Sequence, residues 1–148
     1  ADSVQVPNQN QFITLNDLKS KLEKDGIRRV MQNPNRIISV GTASCEGELV
    51  KEENRAFQRA VNIRENLVKK LLPAKDYNLL NLGQNKTAEC VPNPEITSFQ
   101  RSIIIIGVKK DTPGIILNEA LRDRLLGQIE GLNLDEYSRG TSDKFKVE

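Results

Sequence analysis

The chain has 148 residues with a net charge of +2, 37% hydrophobic residues and 28% charged residues, which is typical of one small globular domain. The near-neutral charge, the scarcity of aromatic residues and the lack of an apolar run of roughly 20 residues argue against a nucleic-acid partner and against a membrane span. Histidine is absent and only two cysteines are present, so the sequence predicts a protein that is not an enzyme and that needs neither a metal nor a cofactor.

The N-terminal quarter predicts an edge strand followed by a helix. The strand is expected between Val4 and Ile13, where Pro7 interrupts an otherwise loosely alternating pattern. Apolar residues then recur at helical spacing and predict a helix with one apolar face: Leu15, Leu18 and Leu22.

The next stretch predicts a buried strand, a turn and a long helix. Ile37, Ile38 and Val40 form a β-branched run after an Asn-Pro-Asn segment, so we expect a strand that ends near Thr42. Beyond the turn, apolar residues recur at helical spacing until Pro73, which predicts a long helix through Phe57, Ala60, Val61, Leu67, Val68, Leu71 and Leu72.

Two further strands are predicted downstream of this helix. The first runs from Tyr77 to Leu82, and Gly83 is expected to end it. A loop without periodicity follows, from Gln84 to Ser98. The four consecutive isoleucines of residues 103–106 then predict a strand covered on both faces, in the interior of the sheet.

The C-terminal part predicts one amphipathic helix and a polar tail. The helix is expected from about Asn118 to Ile129, with Asn118 as its N-cap and Gly131 as its stop. Its apolar stripe is expected to pack on the sheet rather than meet a partner protein. Residues 137–148 are polar, and we expect a loosely held tail unless Phe145 docks.

Three of these stretches resemble the OmpA-like C-terminal domain, a family that also includes Pal and MotB. Gly41 and Gly47 flank the turn in the register of the family's Gly-x-Thr-Asp-x-x-Gly. Arg59 and Ala60 match the Arg-Ala that opens the family's helix motif, and Arg101 matches one arginine of the motif before the last strand. The resemblance spans roughly residues 13–110 and is strongest in residues 37–67.

The resemblance implies a fold of the α/β class, described more fully as an α+β sandwich of βαβαβ type. It implies a mixed sheet with helices packed on one face, formed by residues 1–110 around the core motif 37–67. Residues 111–148 would add the extra C-terminal helix and the polar tail, either packed on this domain or extending from it.

The resemblance also implies a function, because the family holds peptidoglycan without cleaving it. An aspartate of the turn and the arginine of the helix grip the diaminopimelate of the stem peptide. Arg59 matches that arginine, whereas Ser44 stands where the family has the aspartate and Ala43 where it has the threonine. The candidate ligand site implied by the resemblance consists of Arg59, Ser44, Gly41, Gly47, Thr42, Glu46 and Arg101.

Two functions remain open at this point. The first is a non-enzymatic domain of the bacterial cell envelope, at the outer membrane or in the periplasm, that binds the peptidoglycan stem peptide weakly or in an altered way. The second is a structural or protein-interaction module on the same scaffold, with another envelope protein as partner. Arg59 has an alternative role in either case, as an intramolecular ion pair with Glu46, Glu52 or Glu53.

The order of strands also bears on the two cysteines. A strand, a crossover helix and a parallel strand place the turn after Val40 and the loop after Leu82 at the same end of the sheet. Cys45 and Cys90 lie in these two segments. A disulfide between them is one hypothesis, and two buried free thiols are the alternative.

Overall fold

The computed structural model describes residues 3–6, 9–14, 20, 34–109, 116–126 and 132–148. Its centre is strand β3 (Arg36–Ala43), whose last seven residues are all buried. This strand pairs in parallel with β4 (Asp76–Gln84) and antiparallel with β5 (Ile104–Val108), so the sheet has the order β4-β3-β5. A mixed sheet combined with helices confirms the α+β class.

The predicted long helix is confirmed. It begins as α1 (Leu49–Ile63), continues through a π-helical turn (Arg64–Val68) and ends with one α-helical turn (Lys69–Leu71) before Pro73. Phe57 and Val61 are only half-buried, because the buried stripe lies beside them. The apolar members of that stripe are Ala56, Ala60, Ile63, Leu67 and Val68.

Small residues let α1 lie close against β3. A Cβ atom at Gly41 would stand 1.8 Å from the backbone oxygen of Ala56 and 2.9 Å from the nitrogen of Ala60. Real side chains do not reach such distances, so only glycine fits at this crossing. The glycine that the family motif marks is therefore explained here by packing between strand and helix.

Apolar side chains cover both faces of the sheet. On the face towards α1, Ile37 packs in one cluster with Ile63 and Leu67. On the opposite face, Ile38 and Val40 share a cluster with residues of a C-terminal helix and of the segment that follows it. Those partners are Leu121, Leu125, Leu132, Leu134, Tyr137 and Phe145.

The C-terminal helix, called αC here, spans Leu117–Leu125 and carries Leu121 and Leu125 into that second cluster. The long helix that begins as α1 lies on one face of the sheet and αC on the other, so the extra C-terminal helix covers the face opposite α1. The apolar stripe of αC packs on the sheet as expected. Ile129 and Gly131 lie outside the described residues.

Asn118 is not the N-cap of αC, contrary to the sequence-based expectation. The helix begins one residue earlier, and Ile116 occupies the cap position. The Asn118 side chain instead accepts a hydrogen bond from the backbone N–H of Val147 at 2.8 Å. It therefore joins the helix to the end of the chain.

The tail of residues 137–148 is held against the domain. Phe145 is buried, and Leu79 of β4 exchanges two backbone hydrogen bonds with Glu148, at 2.7 and 2.8 Å. The docking of Phe145, which the sequence left open, takes place because the segment extends the pairing of β4 and fills the core beneath it.

Two strand predictions need correction. The isoleucine-rich strand β5 is not interior, because within the described part of the chain it pairs with β3 alone and its residues are half-buried. Gly83 does not end β4 but lies inside it, with a φ of 75°. The register shifts there by one residue, a bulge that turns the last residues of β4 towards the turn after β3.

The N-terminal segment contains two strands instead of the one edge strand predicted. Strand β1 (Ser3–Val6) pairs antiparallel with β2 (Gln9–Thr14) in a sheet of their own. The predicted helix through Leu15, Leu18 and Leu22 lies outside the described residues.

Among the helices of the described residues, none is both long enough and apolar enough to pass through a membrane.

Candidate functional site

The candidate site surrounds the turn of residues 44–47, at the carboxyl end of β3. Three side chains from other segments hold this turn. Gln100 Oε1 accepts from the N–H of Cys45 at 3.0 Å, and Thr97 Oγ1 donates to Glu46 Oε1 at 2.7 Å. From the end of β4, Gln84 Nε2 donates to the backbone oxygen of Gly47 at 2.6 Å. The turn is thus fixed from both sides.

Cys45 and Cys90 form a disulfide, with 5.7 Å between their Cα atoms. This agrees with the hypothesis drawn from the parallel crossover, which brings the two loops to one end of the sheet. The bond ties the turn to the segment of residues 90–101. A cleft of about 320 Å³ opens beside it, lined by the disulfide, Gly47, Leu49 and residues 84–87.

Gly47 is required by a carboxylate that packs against the turn. Glu52, in the first turns of α1, is 2% exposed, and a Cβ atom at Gly47 would stand 2.2 Å from its Oε1. Arg55 donates to the same oxygen from one turn further along the helix. The positive end of the helix dipole adds to the stabilisation of this buried charge.

Arg59 reaches the end of β3 from the middle of α1. Its Nη1 donates to the backbone oxygen of Thr42 at 2.7 Å. Partial burial lowers the pKa of Arg59, and the nearby charges of Arg101 and Arg55 lower it further, whereas Glu52 raises it. The charges of two other guanidinium groups therefore act on Arg59 beside the turn. We call Arg55, Arg59 and Arg101 the arginine cluster.

The sequence also allowed Arg59 to form an ion pair with one of three acids, Glu46, Glu52 or Glu53. The contacts of these acids bear on that alternative. Glu46 accepts from Thr97, and Glu52 is paired with Arg55. Glu53 accepts from Ser138 and forms an ion pair with Arg139 at 3.5 Å. Each acid thus has another partner, and the hydrogen bond of Arg59 goes to a backbone carbonyl.

The structure brings together some of the predicted site residues and separates others. Arg59 donates to the backbone oxygen of Thr42, and Thr42 Oγ1 donates at 3.3 Å to the backbone oxygen of Ser102, the residue after Arg101. Ser44 lies in the turn and is 4% exposed. Gly41 lies beneath α1 and cannot face a ligand, since the helix backbone covers it.

Sequence reasoning missed several residues of the site. Gln100 was not singled out from the sequence, yet its side chain holds the turn at Cys45. Arg55 was not singled out either, and it pairs with Glu52 next to Arg59. Arg55 could have been found from its spacing, because residues four apart on a helix lie on the same face and Arg55 is four residues before Arg59.

Within residues 34–109 and the other described ranges, no group of three or more His, Cys, Asp or Glu side chains is arranged to hold a metal ion. A scan against protein-family models, a search of curated proteins and a search of solved structures each gave no match to this chain. The OmpA-like resemblance therefore rests on the sequence motifs.

Proposed function

We propose that this chain is a non-enzymatic binding domain of the bacterial cell envelope, of OmpA-like type, which holds a carboxylate of the peptidoglycan stem peptide at Arg59. The observation that carries the proposal is the position of Arg59, whose Nη1 donates to the backbone oxygen of Thr42 at the end of β3, beside the turn. Burial and the charges of Arg101 and Arg55 lower the pKa of Arg59 while Glu52 raises it, and a ligand carboxylate would add to the effect of Glu52.

The geometry of Arg59 suits a carboxylate. A guanidinium group has five N–H donors in a planar fork, and one nitrogen of Arg59 is already directed by the carbonyl of Thr42. A fixed fork loses little conformational freedom when it takes up a second acceptor, which favours a bidentate contact with the two oxygens of a carboxylate.

Ser44 sets the expected strength of this binding. A hydroxyl in place of the family's aspartate removes one charge-assisted contact, worth roughly 1.5 to 3 kcal/mol, or about ten- to a hundredfold in affinity. Glu46 is two residues further on, and its carboxylate is engaged by Thr97. We therefore propose binding that is weaker than the family motif would give, with the arginines as its main contacts.

The disulfide supports the proposed location. Disulfides persist in oxidising compartments such as the bacterial periplasm and are rare in reducing ones. Cys90 is exposed, so its bond would be open to cytosolic reductants. A periplasmic site in the cell envelope is therefore part of the proposal.

The test is retention of the purified chain on insoluble peptidoglycan sacculi. Arg59→Ala is expected to lose retention, because it removes the guanidinium at the centre of the cluster. Arg124→Ala is the matched control, since Arg124 is exposed on αC at the opposite face of the sheet. Equal retention of both variants would contradict the proposal.

A second pair of variants examines Ser44. Ser44→Asp is expected to strengthen retention by restoring the acid of the motif, and Ser44→Asn controls for the change in size without a charge. If neither the native chain nor Ser44→Asp is retained, the scaffold does not bind peptidoglycan, and the protein-interaction module becomes the better proposal.

A further inference from the structure

The segment of residues 90–101 presents apolar side chains to solvent next to the turn. Phe99 is 56% exposed, and Val91 and Ile96 are about half exposed. The other aromatic side chains whose burial the structure describes lie deeper: Tyr137 and Phe145 are buried, and Phe57 and Tyr77 are half-buried. Phe99 is thus an aromatic ring that the core does not use.

The neighbours of Phe99 hold it in a defined position. Thr97 and Gln100 are 2% and 4% exposed, and both side chains hydrogen-bond to the turn. Ser102 Oγ donates to the backbone oxygen of Phe99 at 2.6 Å. The ring therefore projects from a fixed backbone, which lowers the entropy cost of ordering it against a ligand.

Phe99 is also close in sequence to one member of the arginine cluster. Phe99 is two residues before Arg101, whose charge acts on Arg59. Gln100, between them, is anchored on Cys45. A ligand that placed a carboxylate on Arg59 would extend past the segment that carries this apolar surface.

We propose that Phe99 is a stacking platform for a sugar ring of the glycan strand from which the stem peptide branches. The proposal rests on the proposed function and extends it from the peptide to the sugar. One face of a pyranose ring is lined by C–H bonds and is apolar, while its edge carries hydroxyl and acetamido groups. The apolar face of such a ring matches a flat, exposed aromatic side chain.

The size of the surface favours a sugar over a folded protein partner. A stable protein interface buries about 800 Å² on each side. A whole phenylalanine side chain offers on the order of 150 to 250 Å², and here only about half of Phe99 and of two aliphatic side chains is exposed. The carboxylates of the peptide would meet the adjacent arginines, so shape and charge both fit the branched glycopeptide.

The test compares two soluble ligands by NMR titration: the stem peptide alone, and the same peptide attached to its N-acetylated disaccharide. The native chain is expected to bind the disaccharide-peptide roughly five- to tenfold more tightly than the peptide. Phe99→Ala is expected to abolish this difference without changing the affinity for the peptide, whereas Phe99→Tyr, which keeps the ring face, should retain it.

Ile116→Ser is the matched control, because Ile116 is an exposed apolar residue outside this segment. It should leave both affinities unchanged. Equal affinity of the native chain for the two ligands would overturn the role of Phe99 and leave the carboxylate site standing. Failure to bind either ligand would overturn the proposed function itself, and with it the sugar platform.

Discussion

Gly41 lies near the end of β3, and the side chain of Arg59 reaches the same strand end from α1. The two residues have different roles there. Arg59 donates to the carbonyl of Thr42, and burial with the charges of Arg101 and Arg55 lowers its pKa while Glu52 raises it. Gly41 is covered by the backbone of α1 and serves packing alone. Of these two motif residues, Gly41 therefore serves packing, whereas Arg59 is the one for which a ligand contact is proposed.

Gly41→Ala is expected to destabilise the fold by about 2 kcal/mol or more, because the added methyl group would overlap backbone atoms of α1 that cannot move alone. Urea unfolding would measure the loss. Ser39→Ala is the control on the same face of β3, since the Ser39 hydroxyl is buried without a hydrogen-bond partner among the described residues and its removal should cost nothing. Equal stability of the two variants would contradict the close approach of strand and helix.

Tyr137 predicts a pH dependence of stability. Burial raises its pKa above the ordinary value of 10.0, so the folded state keeps the proton that the unfolded state releases. Its contribution is therefore complete below pH 10 and is lost as the pH rises from there through the folded-state pKa.

Tyr137→Phe should therefore cost about 1 kcal/mol near neutral pH, where it removes the hydrogen bond to the carbonyl of Gln100. The difference from the native chain should shrink as the pH rises above 10. Urea unfolding at several pH values between 8 and 11 would measure both effects. A difference that stays constant over this range would argue against a buried, neutral tyrosine.

At the scale of elements, the site depends on how three connecting segments are held together. The turn after β3, the bulged end of β4 and the segment of residues 90–101 have no continuous sheet pairing with one another. They are joined by the side chains of Gln84, Thr97 and Gln100 and by one disulfide. The disulfide is therefore expected to matter more for keeping these segments in a fixed conformation than for keeping the sheet folded.

Reduction of the Cys45–Cys90 bond tests this dependence. The cysteines are 45 residues apart, and closing a loop of that length stabilises the folded state by about 4 kcal/mol in the chain-entropy description. Urea unfolding with and without reductant should show a loss of this order. Hydrogen exchange should accelerate first at the amide of Cys45, which Gln100 holds, and unchanged exchange there would contradict the expected coupling.

At the scale of the whole molecule, the last residues of the chain belong to the core. The second apolar cluster combines Ile38 and Val40 of the central strand with residues that follow αC, including Phe145. Backbone hydrogen bonds between Leu79 and Glu148 add the chain end to the edge of β4. The C-terminal segment and the sheet are thus expected to unfold together.

Phe145→Ala is expected to lower the free energy of unfolding by about 3 to 5 kcal/mol, the usual cost of deleting a buried aromatic side chain. Lys144→Ala, at an exposed neighbouring position, is the control and should have little effect. Thermal and urea unfolding would measure both variants. A small loss for Phe145→Ala would mean that the tail is not part of the cooperative unit.

The sequence by itself determined the elements whose signals are local. The β-branched run at Ile37 and the helical spacing that ends at Pro73 predicted β3 and the long helix, because each pattern reflects one buried face. The parallel crossover then led to the hypothesis of the disulfide. Arg59 stood out because of its place in a motif, and the peptidoglycan ligand remains a prediction from that resemblance.

Only the tertiary structure decided which surfaces face each other. Four isoleucines predict a buried strand, yet β5 lies at an edge of the described sheet, because local hydrophobicity does not encode strand order. Phe145 is buried and Phe99 is exposed, although both are single aromatic residues in polar stretches. The arginine cluster likewise combines Arg55 and Arg59 of α1 with Arg101, which is about 40 residues further along the chain. Their proximity depends on long-range packing, which a local sequence pattern does not predict.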